Sequence, residues 1–112
     1  MNKDHRQLRT RVAAVLVLSL SSAAFADQAA RPGDQTVAHV CSACHEEGLL
    51  GAPMIGDAKA WKARLTSAGS VERLAQSAAL GKGNMPPRGG QTSLSDEDLK
   101  AAISYMLSRS GV

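Results

Sequence analysis

The sequence predicts an all-α domain of about four short helices gathered around one site. Apolar residues recur three and four positions apart in four stretches, capping side chains or glycines bound those stretches, and no segment shows the alternation of a strand. There are no internal repeats.

The first 26 residues stand apart. Lys3, Arg6, Arg9 and Arg11 precede an apolar run from Val12 to Leu20, small residues continue to Ala24, and Ala24-Phe25-Ala26 fits a small-residue cleavage site. The expectation is a secretory signal peptide over 1–26, a single domain over 27–112, and a periplasmic location. The apolar run is shorter than the ~20 residues a spanning helix needs, so no stable membrane insertion is expected, with retention as an uncleaved anchor as the competing reading. No cysteine stands at the cleavage point to carry a lipid.

In the domain, Asp34 is placed to cap a first helix running through Thr36 towards His45, with Val37, Val40, Cys41 and Cys44 on one face. Residues 48–56 read as a loop, because Gly48, Gly51, Pro53 and Gly56 interrupt any period. Asp57 caps a second helix, roughly Ala58 to Thr66, with Trp61 and Leu65 inward. Ser70 caps a third from Val71 to Leu80, with Leu74 and Ala78 inward and Gly81 as its stop. Residues 81–93 form a second loop dense in Gly and Pro. Leu94-Ser95-Asp96-Glu97-Asp98-Leu99 opens the last helix with a capping box and a hydrophobic staple, and Leu99, Ala102, Ile103 and Met106 form its buried stripe.

Charge narrows the function. The whole chain is formally +3, but residues 27–112 hold nine Lys/Arg against nine Asp/Glu, so no basic surface for nucleic acid is supported. A domain this small has a marginal core and calls for a staple. The only two cysteines are separated by two residues, and a disulfide closing so short a loop restrains little chain entropy.

Cys41-Ser42-Ala43-Cys44-His45 offers a better staple. On a helix, positions three and four apart share a face, so both thiols and the imidazole project the same way. Two thioethers on a porphyrin edge and an imidazole on its iron match the c-type haem attachment spacing. One covalently bound haem c, with Cys41 and Cys44 as anchors and His45 as an axial iron ligand, is therefore expected. The chain without haem is expected to be largely unfolded.

For the second axial position the domain offers Met54, Met85, Met106 and His39. Met106 lies in the buried stripe and reads as core. Met54 follows His45 too closely to reach the opposite haem face, and His39 sits on the attachment helix pointing away. Met85 lies in Gly83-Asn84-Met85-Pro86-Pro87, where glycines permit close backbone approach and prolines stiffen the chain. Met85 is the expected second ligand. Two protein ligands leave the iron no open position, which describes an electron carrier and not an enzyme.

With these residues the chain resembles the class I c-type cytochromes, and among them the short bacterial c-five group. The resemblance is carried by the attachment motif, by Gly51-Ala52-Pro53 with Ile55-Gly56-Asp57 and Trp61, by residues 83–90, and by Leu94-Ser95-Asp96-Glu97 through Tyr105-Met106. It implies a small monohaem cytochrome c fold. It also implies a Pro53 carbonyl accepting from the His45 ring, a Trp61 indole donating to a haem propionate, and Arg64 pairing with the same group. Loop stiffening, core packing and plain solvation are the competing roles of Pro53, Trp61 and Arg64. Where that group often carries an aromatic, this chain has Val37, so a thinner contact between first and last helices is expected.

Charge is uneven along the domain. Residues 59–88 carry Lys59, Lys62, Arg64, Arg73, Lys82 and Arg88 against Glu72 alone, and residues 27–58 are correspondingly acidic. The basic segment, with Lys82 and Arg88 beside the Met85 loop, is read as steering towards an acidic redox partner, with solvated helix faces as the alternative. Donor and acceptor are expected to be redox proteins, such as a membrane cytochrome complex and a terminal oxidase or reductase. Competing functions are a haem-bearing subunit of a larger oxidoreductase, a ligand-binding or peroxidase haem centre, and a thiol-redox or metal-binding protein using Cys41 and Cys44.

Overall fold

The computed structural model describes residues 29–112, so the expected signal peptide lies outside the described residues. Helix α1 covers residues 33–45 in three continuous pieces: α-helical Gly33–Thr36, π-helical Val37–Cys41 and α-helical Ser42–His45. Helices α2 (Ala58–Ala68), α3 (Val71–Leu80) and α4 (Asp96–Arg109) follow, with short 3-10 turns at Leu49–Gly51 and Pro87–Gly90. Among the described residues there is no strand, only an isolated bridge between Lys82 and Met85. The all-α expectation holds.

Three of the four starts follow the local rules. Asp57 accepts the Ala60 N–H at 3.0 Å and Ser70 accepts that of Arg73 at 3.2 Å. At α4 the box is reciprocal: Ser95 Oγ accepts from the Asp98 N–H at 3.1 Å and Asp98 Oδ2 accepts from the Ser95 N–H at 2.9 Å. Helix α1 differs. Pro32 stands at its cap, and the Pro32 carbonyl takes the N–H groups of Gln35 and Thr36 at 3.1 Å each. Asp34 falls inside the first turn, where a carboxylate suits the dipole without capping. Helix α2 runs to Ala68 instead of ending near Thr66, because the chain leaves the helix only at Gly69, whose φ of 90° returns its N–H to the Leu65 carbonyl at 2.8 Å.

Helix α1 crosses α4, and α4 also packs on α3. The core takes Val37 from α1, Trp61 from α2, Ala75 and Ala78 from α3, and Leu99, Ala102, Ile103, Met106 and Leu107 from α4, with Leu94 entering from the loop before it. The expected stripe of α4 is therefore buried, Met106 included. Leu74 is only half-buried and faces the cavity described below, leaving the inward position on α3 to Ala75. At the first crossing Gly33 lies so close to α4 that a Cβ there would collide with the Ala101 carbonyl. Val37 is buried at this contact, yet a groove of about 460 Å³ opens beside it, bordered by Val37, Ile55 and Tyr105.

Two polar ties close the ends of the domain. The Arg31 N–H donates to Asp98 Oδ1 at 2.6 Å, so the segment before α1 is pinned to the start of α4. Ser110 Oγ accepts from the Gly56 N–H at 2.8 Å and donates to the Met106 carbonyl at 2.7 Å. Asp98 is buried, and its carboxyl is held below the usual range first by the Ser95 N–H and then by that of Arg31.

Gly33→Ala should weaken the α1–α4 crossing by about 1–3 kcal/mol, the usual penalty for overpacking, read as a lower denaturant midpoint. Asp98 has a depressed folded pKa, so its contribution is present above the ordinary carboxylate value of ~3.9 and disappears as pH falls through the folded value. Asp98→Asn should therefore lower Tm at neutral pH, and the gap to the parent should close on acidification. A gap that does not narrow as pH falls below the ordinary carboxylate value would mean the carboxylate charge is not what the cap uses.

Candidate functional site

A cavity of about 540 Å³ lies between α1, the α2–α3 pair and the loops at 49–53 and 82–89, within the range of small-molecule and cofactor sites. Cys41, Cys44 and His45 border it from α1, Leu99 and Ile103 of α4 form its apolar floor, and Leu74 and Ala78 close it from α3. The π turn over Val37–Cys41 spreads one extra residue through the helix just ahead of the motif. Val37 can then enter the core while Val40 and Cys41 face the cavity. Both thiols are free, and burial pushes the Cys41 thiol above its usual pKa.

His45 is held from three sides. It is 7% exposed, its Nδ1 lies 2.9 Å from the Pro53 carbonyl, and its ring stacks on Trp61 with centroids 5.6 Å apart and planes 29° apart. Its own carbonyl accepts the Ile55 N–H at 2.8 Å, so the 53–55 segment is laced to the end of α1 at two points. With Nδ1 engaged, Nε2 is the nitrogen available to a metal.

Of the four candidates for a second ligand, Met85 alone lines this cavity. Met106 is buried in the core and His39 is exposed on α1. Met54 is 44% exposed and its side chain lies against Gly48, where a Cβ would crowd it. The Met85 loop is shaped by its backbone: Lys82 and Met85 exchange N–H···O bonds of 3.1 and 3.0 Å. Asn84 Nδ2 donates to the Leu50 carbonyl at 3.2 Å, linking this loop to the one after His45.

Trp61 and Arg88 meet partners within the protein. The Trp61 indole borders the cavity, but its N–H is engaged elsewhere, donating to the Met54 carbonyl at 2.9 Å, and is not free for a propionate. The side chain is 3% exposed because core packing and the histidine stack bury it on the inner side of α2. Arg88 is not a free surface cation: its guanidinium donates to the Leu94 carbonyl at 2.8 Å and pairs with Asp96 Oδ1 at 2.6 Å. Arg64 does reach the cavity rim, joined there by Arg73 and Lys82, and no Asp or Glu lines the cavity. Arg73 was legible in the sequence only as a charge; the tight α2–α3 turn at Gly69 is what brings it beside Arg64.

The donor set suits a haem. It provides two free thiols and an oriented imidazole from α1, a methionine in the lining, apolar side chains from α4 and cations at the rim. The thiol-redox reading needs a strand-to-helix junction, and Cys41 and Cys44 sit within α1 instead. Among the described residues no group of three or more His, Cys, Asp or Glu comes together to hold a metal ion by itself.

Comparison with known proteins agrees with this donor set. Residues 28–106 match the family described as cytochrome c oxidase, cbb3-type, subunit III. The chain is similar to cytochrome c5 of Azotobacter vinelandii, 47% identical over 77 residues that span 69% of this chain and 93% of that protein. It is 43% identical to cytochrome c5 of Ectopseudomonas mendocina over 84 residues, 75% of this chain and 97% of that one. Cytochrome c-555 of Chlorobaculum tepidum is 38% identical over 106 residues, 88% of this chain and 95% of that protein. A solved chain from an electron transfer complex of nitrite reductase with cytochrome c superposes with a TM-score of 0.64 at 34% identity, covering 72% of this chain and 98% of its own. Together with the attachment motif and the helical fold around the cavity, these matches show that the chain belongs to the short class I c-type cytochromes and carries covalently bound haem c.

Proposed function

We propose that the protein is a soluble periplasmic single-electron carrier whose haem is anchored by Cys41 and Cys44 and ligated by His45 and Met85. One observation carries this reading: among four candidate second ligands, Met85 alone lines the cavity bordered by Cys41, Cys44 and His45. Haem iron supplies a one-electron couple, and this chain's residues determine how it is used.

The Pro53 carbonyl fixes the His45 tautomer and raises the basicity of the imidazole, as a second-shell acceptor does. Met85, a neutral thioether, favours the reduced state and raises the potential. The floor of Leu99 and Ile103, with Leu74 beside it, keeps water from the site. With His45 and Met85 both holding the iron, no coordination site would remain for a substrate, which would separate a carrier from a peroxidase or ligand sensor. Arg64 and Arg73 at the rim are suited to the haem carboxylates. Export is supported by the leader pattern of residues 1–26, and no helix among the described residues is long and apolar enough to cross a membrane.

A haem-bearing part of a larger oxidoreductase is the second reading, favoured by the description of the matching family. The near-complete coverage of the two cytochromes c5 favours the carrier. Co-purification in fixed ratio with a larger enzyme would support the second reading.

Partners of this protein are redox proteins with an acidic docking face. Of the basic segment, Arg88 is neutralised by Asp96, while Lys82 stays exposed at the cavity rim beside Met85. Steering therefore rests on Lys82 with Arg64 and Arg73.

Met85→Leu should abolish the far-red ferric band that marks sulfur on iron, lower the potential and admit cyanide or imidazole to the iron, whereas Met54→Leu and Met106→Leu should keep the band. An unchanged spectrum in Met85→Leu would end the carrier reading. Lys82→Glu should slow electron transfer with an acidic partner several-fold at low salt. The difference should fade as the screening length shrinks from ~10 Å at 0.1 M to ~3 Å at 1 M salt. Lys59→Glu, away from the rim, should change the rate much less.

A further inference from the structure

The polar hydrogen of Trp61 lies one peptide away from the group that orients the iron's imidazole. Pro53 O lies 2.9 Å from His45 Nδ1, and the next carbonyl along the chain, that of Met54, accepts from Trp61 Nε1 at 2.9 Å. The same indole stacks on the imidazole and is buried at 3% exposure, so one side chain touches both His45 and the peptide next to the one that supplies its partner. Met54 itself is 44% exposed, and its side chain does little to hold that peptide in place. Gly51 and Gly56 flank the segment, both at positive φ; the Ile55 N–H on the His45 carbonyl and the Gly56 N–H on Ser110 tie its far end, and the Trp61 indole is the side-chain donor that ties its middle.

We propose that Trp61 is the positioning residue of the histidine ligand: its indole N–H locks the Pro53–Met54 turn, and its ring sets the plane of His45, so that Pro53 O stays on Nδ1–H and the imidazole keeps its raised basicity. This rests on His45 being an iron ligand and gives Trp61 a role separate from any contact with a propionate.

The sign of the effect makes it testable. Losing the lock weakens the Pro53 bond, makes the imidazole a poorer donor and destabilises ferric iron, so the potential rises. Water entering a merely loosened pocket would stabilise the more highly charged ferric site, so the potential would fall.

The experiment uses the holoprotein with Trp61→Phe, which keeps an aromatic ring and removes the N–H. The expected result is an intact far-red band, a higher potential, and His45 Nδ1–H exchange with solvent roughly tenfold faster, the factor one lost hydrogen bond supplies. An unchanged or lowered potential overturns the proposal. So does a potential whose pH dependence alone is altered, since that is the mark of a lost propionate donor. If Trp61→Phe does not fold, the parent protein decides: Trp61 Nε1–H must exchange as slowly as His45 Nδ1–H, and indole exchange within seconds overturns the lock. Failure of His45 ligation itself would show differently, as a His45→Ala spectrum equal to that of the parent.

Discussion

Ten buried apolar side chains, three of them alanine, make up the described core, and that core borders a cavity of about 540 Å³. The dependence of the fold on what fills this space follows from size. A domain this short buries too small a share of its surface to offset the entropy of ordering its chain. A large apolar plate joined to α1 by two thioethers supplies the missing burial, and its attachment removes freedom from the unfolded chain as well. The helices need not be long or strongly apolar, and α3 can turn Leu74 towards the cavity while only alanines enter the core.

The charges follow the same division. No carboxylate lines the cavity, whereas Arg64, Arg73 and Lys82 do. Three acids of the second half lie where they bind protein: Asp98 in the cap of α4, Asp96 on Arg88, and Glu72 on Lys100 at 2.7 Å. A redox centre that gains and loses one charge feels every fixed charge around it, and a rim free of acids would leave haem carboxylates with cations only as charged neighbours. The formal neutrality of residues 27–112 conceals this polarity.

What was legible in the sequence was what short range decides. The caps at Asp57, Ser70 and Ser95, the stop at Gly81 and the buried stripe of α4 each depend on a few neighbouring residues, and the structure forms them. Met85 was singled out by the glycines and prolines around it, and it does face the attachment residues. The start of α1 was misplaced because the Pro32 carbonyl, and not the Asp34 side chain, takes its first N–H groups, and the closeness of Gly33 to Ala101, 68 positions along the chain, has no local sign. The π turn before Cys41 has no signature in residue type. Arg88 read as a free cation and Trp61 as a free donor, because Leu94, Asp96 and Met54 meet those groups only once the loops are folded.

Those loops carry the remaining strain. Leu50 and Arg88 hold left-handed backbone with φ of 53° and 56°, conformations that cost a side-chain-bearing residue on the order of 1 kcal/mol or more. Each is tied by a hydrogen bond, Leu50 through its carbonyl to Asn84 and Arg88 through its guanidinium to Leu94 and Asp96. Both line the same cavity as Met85, and Pro53 and Trp61 line it beside His45. An electron carrier exchanges fastest when neither oxidation state requires its ligands to move. Backbone held in unfavourable conformations by specific bonds has few alternative positions to relax into, so both ligand loops are restrained before any charge arrives. For a haem ligated as proposed, the strain at Leu50 and Arg88 would be the counterpart of a rigid coordination sphere.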